Sequence, residues 1–248
     1  MINFFRKIRK KMADDNKPMK YMRYAVGEIA LVVIGILIAL SINNWNQNRI
    51  NNQKLKSYLT EIVNDLRTDS VWISNEIEFL KNRNKKTKSF LAIKDYNKLS
   101  LDSLEKSLET FYIGSEWKGG SFKKLENSGI TDFGQNDTLI IGLKYYYNFF
   151  VPYNKRMLDA VNRAVEKEDY FWRYDQNLYE FTYDNELAST QSNDESKRQL
   201  IQLLQSPTPR NILKIQYRRN MEWIRDFSDL KNGFIPILIE ETEKAIKD

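Results

Sequence analysis

At 248 residues and a net charge of +6, the chain has room for a membrane anchor and one domain with a substantial core. It contains neither cysteine nor histidine, which excludes cysteine nucleophiles, Ser-His-Asp triads and thiolate or imidazole zinc sites within it. Residues 1–45 carry eight Lys/Arg against Asp14, Asp15 and Glu28, whereas the remainder carries 31 against 30 acids, so the large domain lacks the positive excess that nucleic acid demands.

The first element is basic. Residues 2–12, INFFRKIRKKM, put Phe5, Ile8 and Met12 on one helical face among Lys and Arg. That pattern suits a short helix lying on an anionic inner leaflet, and it equally suits a plain basic tail. Asp14, Asp15 and Asn16 break it, and Pro18 is placed to start the next helix.

Ile29–Ile42, IALVVIGILIALSI, holds no charge and one hydroxyl. Extended back through Ala25, Val26 and Gly27 and forward to Trp45, it reaches the roughly 20 residues that a bilayer core requires. Tyr21, Tyr24 and Trp45 fall at its two ends, where aromatic rings anchor at the interface. The eight cations precede the span, and the next one is Arg49. The positive-inside rule therefore puts the N-terminus in the cytoplasm and residues 46–248 outside. The expected organisation is a basic cytoplasmic segment over 1–20, a transmembrane helix over 21–45 and an outer domain over 46–248. A competing reading is a cleaved signal peptide, with Ala39-Leu40-Ser41 as the small-x-small site.

At 100° per residue, Glu28, Gly35 and Ala39 share one line of the anchor. Gly35-x-x-x-Ala39 is a small-xxx-small pair that lets a second helix approach, and a carboxylate on that face favours a protein neighbour over lipid. The expectation is a seam, with a second copy or with another membrane protein. The alternative is a Glu that reaches into the headgroups beside small residues of no particular role.

MINFFRKIRKKM and KYMRYAVGEIALVVIGILIALSINNWN resemble the opening of a bacterial family of single-pass membrane proteins of unknown function. That family shows an FFRxIR start, a KYxxYAxGE entry, a VVIGILIAL core and an INNWN exit. FKKLENSGITDF, residues 122–133, is similar to its LxxSG segment, while Ser41 stands where a longer polar residue such as Gln is expected. The resemblance implies the anchor and a helical outer domain, and it implies no activity.

The outer domain reads as all-α, a helical bundle continuing from the anchor. Leu55, Leu59, Ile62, Val63, Leu66, Ile73, Ile77 and Leu80 keep a 3–4 spacing, with no Pro or Gly between Gly35 and Gly114. Leu59, Leu66, Ile73 and Leu80 form a coiled-coil-like heptad, but Asp69 and Glu76 hold its other position, which favours bundle packing. Lys81–Lys88 reads as a solvated helix end. Asp102-Ser-Leu-Glu105 reads as a capping box ahead of Leu104, Leu108 and Phe111. Residues 114–121 form a loop, and a helix over 122–128 ends at Gly129 in a left-handed cap. Asp137 caps the next helix, whose one side carries Leu139, Leu143, Tyr146, Tyr147 and Phe150, and Pro152 ends or kinks it. Residues 153–183 are expected to be helical, 186–198 a connection or helix start, and Leu200, Leu203 and Leu204 a short helix closed by Pro207 and Pro209. The last helix uses Ile212, Ile215, Ile224, Phe227, Leu230, Phe234 and Ile246, bent near Gly233 and Pro236.

Thirteen of the 32 aromatic residues lie in 145–183. Tyr146, Tyr147, Phe150 and Trp172 are candidates to line a pocket, and helix-to-helix core packing accounts for them as well. The acidic groups Glu166, Glu168 and Asp169, and Glu240, Glu241 and Glu243, read as solvated faces rather than a facing catalytic pair. No phosphate-binding glycine loop is present. The sequence thus predicts no catalytic, cofactor or metal residues, and a non-enzymatic membrane-anchored module that binds a protein or ligand. A cell-envelope enzyme working with carboxylates or tyrosine is the alternative.

Overall fold

The computed structural model describes Lys7 and residues 18–108, 110–114, 116–182 and 189–247. Most of the basic segment 1–20 lies outside the described residues, including Phe5, Ile8 and Met12, as do the side chain of Tyr21, Tyr183 and part of the 186–198 connection. Helices account for nearly all regular structure, and no strand occurs among the described residues. The chain divides into two compact units, Met1–Leu55 and Lys56–Asp248.

Helix α1, Pro18–Leu91, opens at the proline, whose missing N–H costs nothing in a first turn. Within the first unit its apolar side chains from Met22 to Ile42 are exposed all round. An 18-residue window there has a mean hydropathy of 2.6 with none of it buried, so this helix is long and apolar enough to cross a membrane. Arg49 lies over the Trp45 ring at 5.7 Å.

In the second unit α1 changes character. Leu59, Ile62, Val63, Leu66, Ile73, Ile77 and Leu80 are all buried, as the heptad spacing predicts. The Lys81–Lys88 stretch is mainly solvated, except that Asn84 is buried and Arg83 covers the Phe111 ring at 3.9 Å. A 3₁₀ turn, Tyr96–Lys98, follows from Asp95, which accepts the Asn97 amide at 3.1 Å.

Helix α2, Leu101–Lys106, is capped by Ser100, which accepts the Ser103 amide at 3.1 Å. The expected capping box at Asp102 is therefore two residues late: Ser100 has the extended backbone a cap needs, and Glu105 turns inward instead. Phe111 consequently lies beyond the helix. Helix α3, Gly120–Glu126, starts and ends two residues earlier than expected; Asn127 is its C-cap, and Gly129, left-handed at φ 76° as expected, lies two residues beyond that cap.

Helix α4, Asp137–Lys144, starts from a 3₁₀ turn, and Asp137 is its first residue rather than its cap. A π-helical turn, Tyr145–Phe150, joins it to α5, Val151–Tyr170. The expected break at Pro152 is thus absent. Proline lacks an N–H and excludes the carbonyl four residues back. The wider turn, in which the Val151 N–H donates to the Tyr146 carbonyl, absorbs that defect without ending the helix. The same device recurs before Pro236. Helix α7, Pro207–Asp229, passes through a π turn, Leu230–Phe234, into α8, Ile235–Lys247, and the Ile235 N–H donates to Leu230.

A third π turn, Phe171–Asp175, ends the α5 rod, so the helix expected to reach residue 183 stops at 175. The Gln176 side chain explains the stop: it donates to the Trp172 and Tyr179 carbonyls at 3.0 and 2.8 Å and accepts the Tyr179 amide, holding 176–179 as a turn. Helix α6, Asn193–Gln205, is capped by Ser192, and Pro207 begins α7 rather than merely closing α6. On α7, Ile212 and Phe227 are buried as expected, but Ile215 is exposed and Leu213, Gln216, Asn220 and Trp223 take the inner face. The stripe keeps Ile212, Phe227 and Leu230 and replaces Ile215 and Ile224 by their neighbours Gln216 and Trp223.

Candidate functional site

The densest polar and aromatic cluster forms where α1 meets the 107–119 loop and the α4–α5 rod. Asp69, fully buried on α1, accepts the Lys118 amide at 2.8 Å and the Tyr146 hydroxyl at 2.9 Å. One turn earlier, Asp65 accepts the Ser121 amide at 3.3 Å. Two carboxylates spaced i, i+4 thus satisfy two amides that no regular structure pairs. Trp117, next to the bonded Lys118 amide, meets Trp72 edge-on at 4.7 Å and packs against Tyr146, Phe150 and Phe227. Tyr147 stacks on Phe122 at 4.9 Å.

This environment shifts protonation. Burial pushes the Asp69 carboxyl up to about 6, against the pull of its Lys118 and Tyr146 hydrogen bonds; the neighbouring Asp65 charge pushes the same way as burial. Tyr146 is pushed up by burial and by the Asp69 charge, and Tyr147 by burial and then by Asp69 and Asp65. Both phenols are therefore neutral; Tyr146 donates to Asp69, while the buried Tyr147 hydroxyl has no hydrogen-bond partner among the described residues. Glu76, on the same heptad line as Asp69, is raised by burial and by Glu116.

The proposed pocket aromatics divide. Tyr146, Tyr147 and Phe150 come together here, Tyr146 fully buried and Phe150 at the margin, 5.9 Å from the Tyr146 ring in a stacked arrangement. Trp172 belongs to another core, with Phe90, Tyr96, Leu104, Leu108, Tyr179, Leu200, Leu204 and Leu213. At its edge Glu105 accepts the Tyr179 hydroxyl and the Thr182 amide, the latter at 2.7 Å. Burial and that bond push the Tyr179 phenol up.

The acidic run at 166–169 is not simply a solvated face. Glu168 accepts both Arg219 guanidinium nitrogens at 2.9 and 3.2 Å and the Gln216 amide at 3.0 Å, with little exposure of either charge. Asp169 accepts the Thr110 hydroxyl and pairs with Arg173. Asn84 donates to the Tyr217 carbonyl and accepts from Asn220, a buried amide pair. Sequence reading missed Glu105, Glu168 and this pair. The one available signal was a polar residue set on an apolar helical stripe, and it pointed to Asp69 and Glu76 alone. Among the described residues, no group of three or more Asp or Glu is arranged to hold a metal.

In the first unit, Glu28 and Tyr24 are half-buried and Trp45 is exposed. A Cβ added at Gly35 would meet nothing within 4 Å. The line shared by Glu28, Gly35 and Ala39 is therefore open for a neighbour at its glycine.

A model of a family of unknown function, DUF6090, matches residues 28–206, a span that takes in the VVIGILIAL core, INNWN and the LENSG segment. No curated protein and no solved structure matches the chain.

Proposed function

This chain belongs to the DUF6090 family, and from that membership and the features above we propose that it is a single-pass protein of a bacterial inner membrane whose helical domain serves as a non-enzymatic interaction module. The N-terminus faces the cytoplasm and residues 46–248 face the periplasm. The domain binds a protein or a small ligand, as a scaffold or a sensor. The membrane helix meets a partner, a second copy or another membrane protein, along Glu28, Gly35 and Ala39.

One observation carries this reading: the apolar stretch of α1 is unburied on every side and follows a dense block of cations. A helix apolar all round and left unburied is suited to lipid. The non-enzymatic part is supported by the buried acids. Asp69, Glu105 and Glu168 are each bonded by groups that hold the fold's own loops and helices together. The alternative, an envelope enzyme using carboxylates or tyrosine, rests on Asp69, since a raised carboxyl beside a phenol is a perturbation that active sites also use.

The test uses the tagged full-length chain in native membranes, crosslinked and analysed by mass spectrometry. Alkaline extraction should leave the chain in the membrane, and Lys94→Cys, in a sequence without other cysteines, should react with an impermeant maleimide from the outer side. A specific partner should be captured and lost with Gly35→Leu, whose added Cβ meets nothing within 4 Å. Capture that survives both Gly35→Leu and Glu28→Ala removes the seam, and release by alkali removes the anchor. Hydrolysis of envelope glycans that disappears with Asp69→Asn would favour the enzyme.

A further inference from the structure

The α4–α5 rod exposes a continuous apolar stripe that no part of the reading above uses. Ile141, Tyr145, Phe149, Tyr153 and Met157 recur every four residues with exposures of 67, 51, 54, 47 and 43%. Tyr145 stacks on Phe149 at 5.2 Å, and Phe149 on Tyr153 at 6.3 Å with rings 8° apart, so the three aromatics form one ladder. Helical spacing sets Ile141 and Met157 at its two ends. The inner neighbours Tyr146, Tyr147, Asn154 and Leu158 are buried, so the stripe is the outward edge of a rigid rod rather than a frayed segment. Apolar patches of this size on a soluble surface mark contacts.

We propose that the stripe Ile141, Tyr145, Phe149, Tyr153 and Met157 is the surface through which two copies of this chain pair. Two observations select a second copy. First, the stripe is its own complement. It runs aliphatic, Tyr, Phe, Tyr, aliphatic from either end. A two-fold pairing centred on Phe149 sets aromatic on aromatic and aliphatic on aliphatic whichever way the two helices run, as an isologous contact requires. Second, the area fits. Aromatic side chains carry about 150–250 Å² each, so five residues at these exposures offer on the order of 500 Å² per copy. The pair would bury on the order of 1,000 Å² before its borders are counted, where specific interfaces begin.

The border does not oppose pairing. Lys144 and Arg156 flank the stripe, and Glu126, hydrogen-bonded to Asn148 at 2.6 Å, is held at a level between them. Neither copy therefore presents a border of one sign to the other. The ladder lies wholly within the helical domain, and the pairing is independent of the membrane seam.

The chain lacks cysteine, so single substitutions report without background. Helices packed at about 8–10 Å bring residues on a two-fold axis within disulfide reach. In native membranes under mild oxidation, full-length Phe149→Cys should form at least ten times more covalent dimer than Tyr112→Cys, which is similarly exposed off the stripe. Phe149→Cys dimer at no more than the Tyr112→Cys level overturns the proposal. A benzophenone side chain at position 153 gives a second readout. An adduct of two copies of the chain supports pairing, whereas an adduct with a different protein or with lipid overturns it. Repeating the Phe149→Cys experiment with Gly35→Leu added separates the two ideas: the crosslink persists if the stripe pairs by itself, and its loss overturns that independence.

Discussion

Helix α1 carries leucine, isoleucine and valine along both parts of its length, and their fates are opposite. Leu37 and Leu40 are more than half exposed, whereas Leu59, Leu66 and Leu80 are completely buried. Residue type does not separate them; the company each keeps does. Around Leu37 every face of the helix is apolar and none of it is buried, a surface that a bilayer can cover. Around Leu66 the apolar residues form one stripe, and Asn64, Arg67 and Thr68 face solvent. The lesson is that the angular spread of hydrophobicity, more than its amount, tells a segment fit to cross a membrane from a core segment within one uninterrupted helix.

The sharpest way to break this comparison is the same substitution in both places. Leu66→Ala removes a side chain with no exposure and leaves a cavity, so the domain should lose about 2–5 kcal/mol. Leu37→Ala should leave the unfolding of the helical domain unchanged and lower membrane insertion by only about 0.5 kcal/mol. Thermal melts of the purified full-length chain in detergent compare the two directly. Equal losses would mean that the exposed stretch is buried against protein.

Asp69 sharpens the comparison, because it is a polar residue on the buried stripe. Its carboxyl is raised from 3.8 to about 6, mainly by burial. A carboxyl that binds its proton more tightly when folded stabilises the fold fully below pH 4 and loses that contribution as pH rises through 6. Between pH 7.5 and pH 5 this group should therefore add about 1.4 kcal/mol of stability as pH falls. The Asp69→Asn variant should lose that component while keeping one acceptor for the Lys118 amide or the Tyr146 hydroxyl. Denaturant midpoints at the two pH values measure it. A wild-type slope unchanged by Asp69→Asn would show that another group titrates there.

How much of this was legible follows from the same physics. The buried side of α1, its start at Pro18 and the left-handed backbone of Gly129 were written in local pattern and turn chemistry. Asp69 was visible only as an interruption of the heptad, since its partners Lys118 and Tyr146 lie 49 and 77 residues away. Glu168 read as solvated because nothing local announces Arg219. The aromatic segment read as one cluster because its residues are close in sequence. The chain instead divides it into the Asp69 side, the Trp172 core and the exposed ladder, a division made by neighbouring helices. The π turns themselves left no trace, because one extra residue in a turn barely disturbs a 3.6-residue pattern; Pro152 pointed to an end or a kink and Pro236 to a bend.

The smallest effect belongs to the solvent-facing side of the same helix. Arg67 pairs with Glu243 of α8 at 2.5 Å, and both side chains are more than a third exposed. At that exposure the attraction is screened by water and salt, and holding two long side chains in one geometry costs entropy. Arg67→Gln should therefore shift stability by no more than about 0.5 kcal/mol, although the substitution lies one residue from Leu66. The shift should shrink further as salt is raised. Adjacent positions on one turn would then differ severalfold in consequence, solely because one faces leucines and the other faces water. A loss at Arg67 approaching that of Leu66→Ala, measured by the same melts, would show that the ion pair closes α8 onto α1 and that the packed surface extends around the helix beyond its apolar stripe.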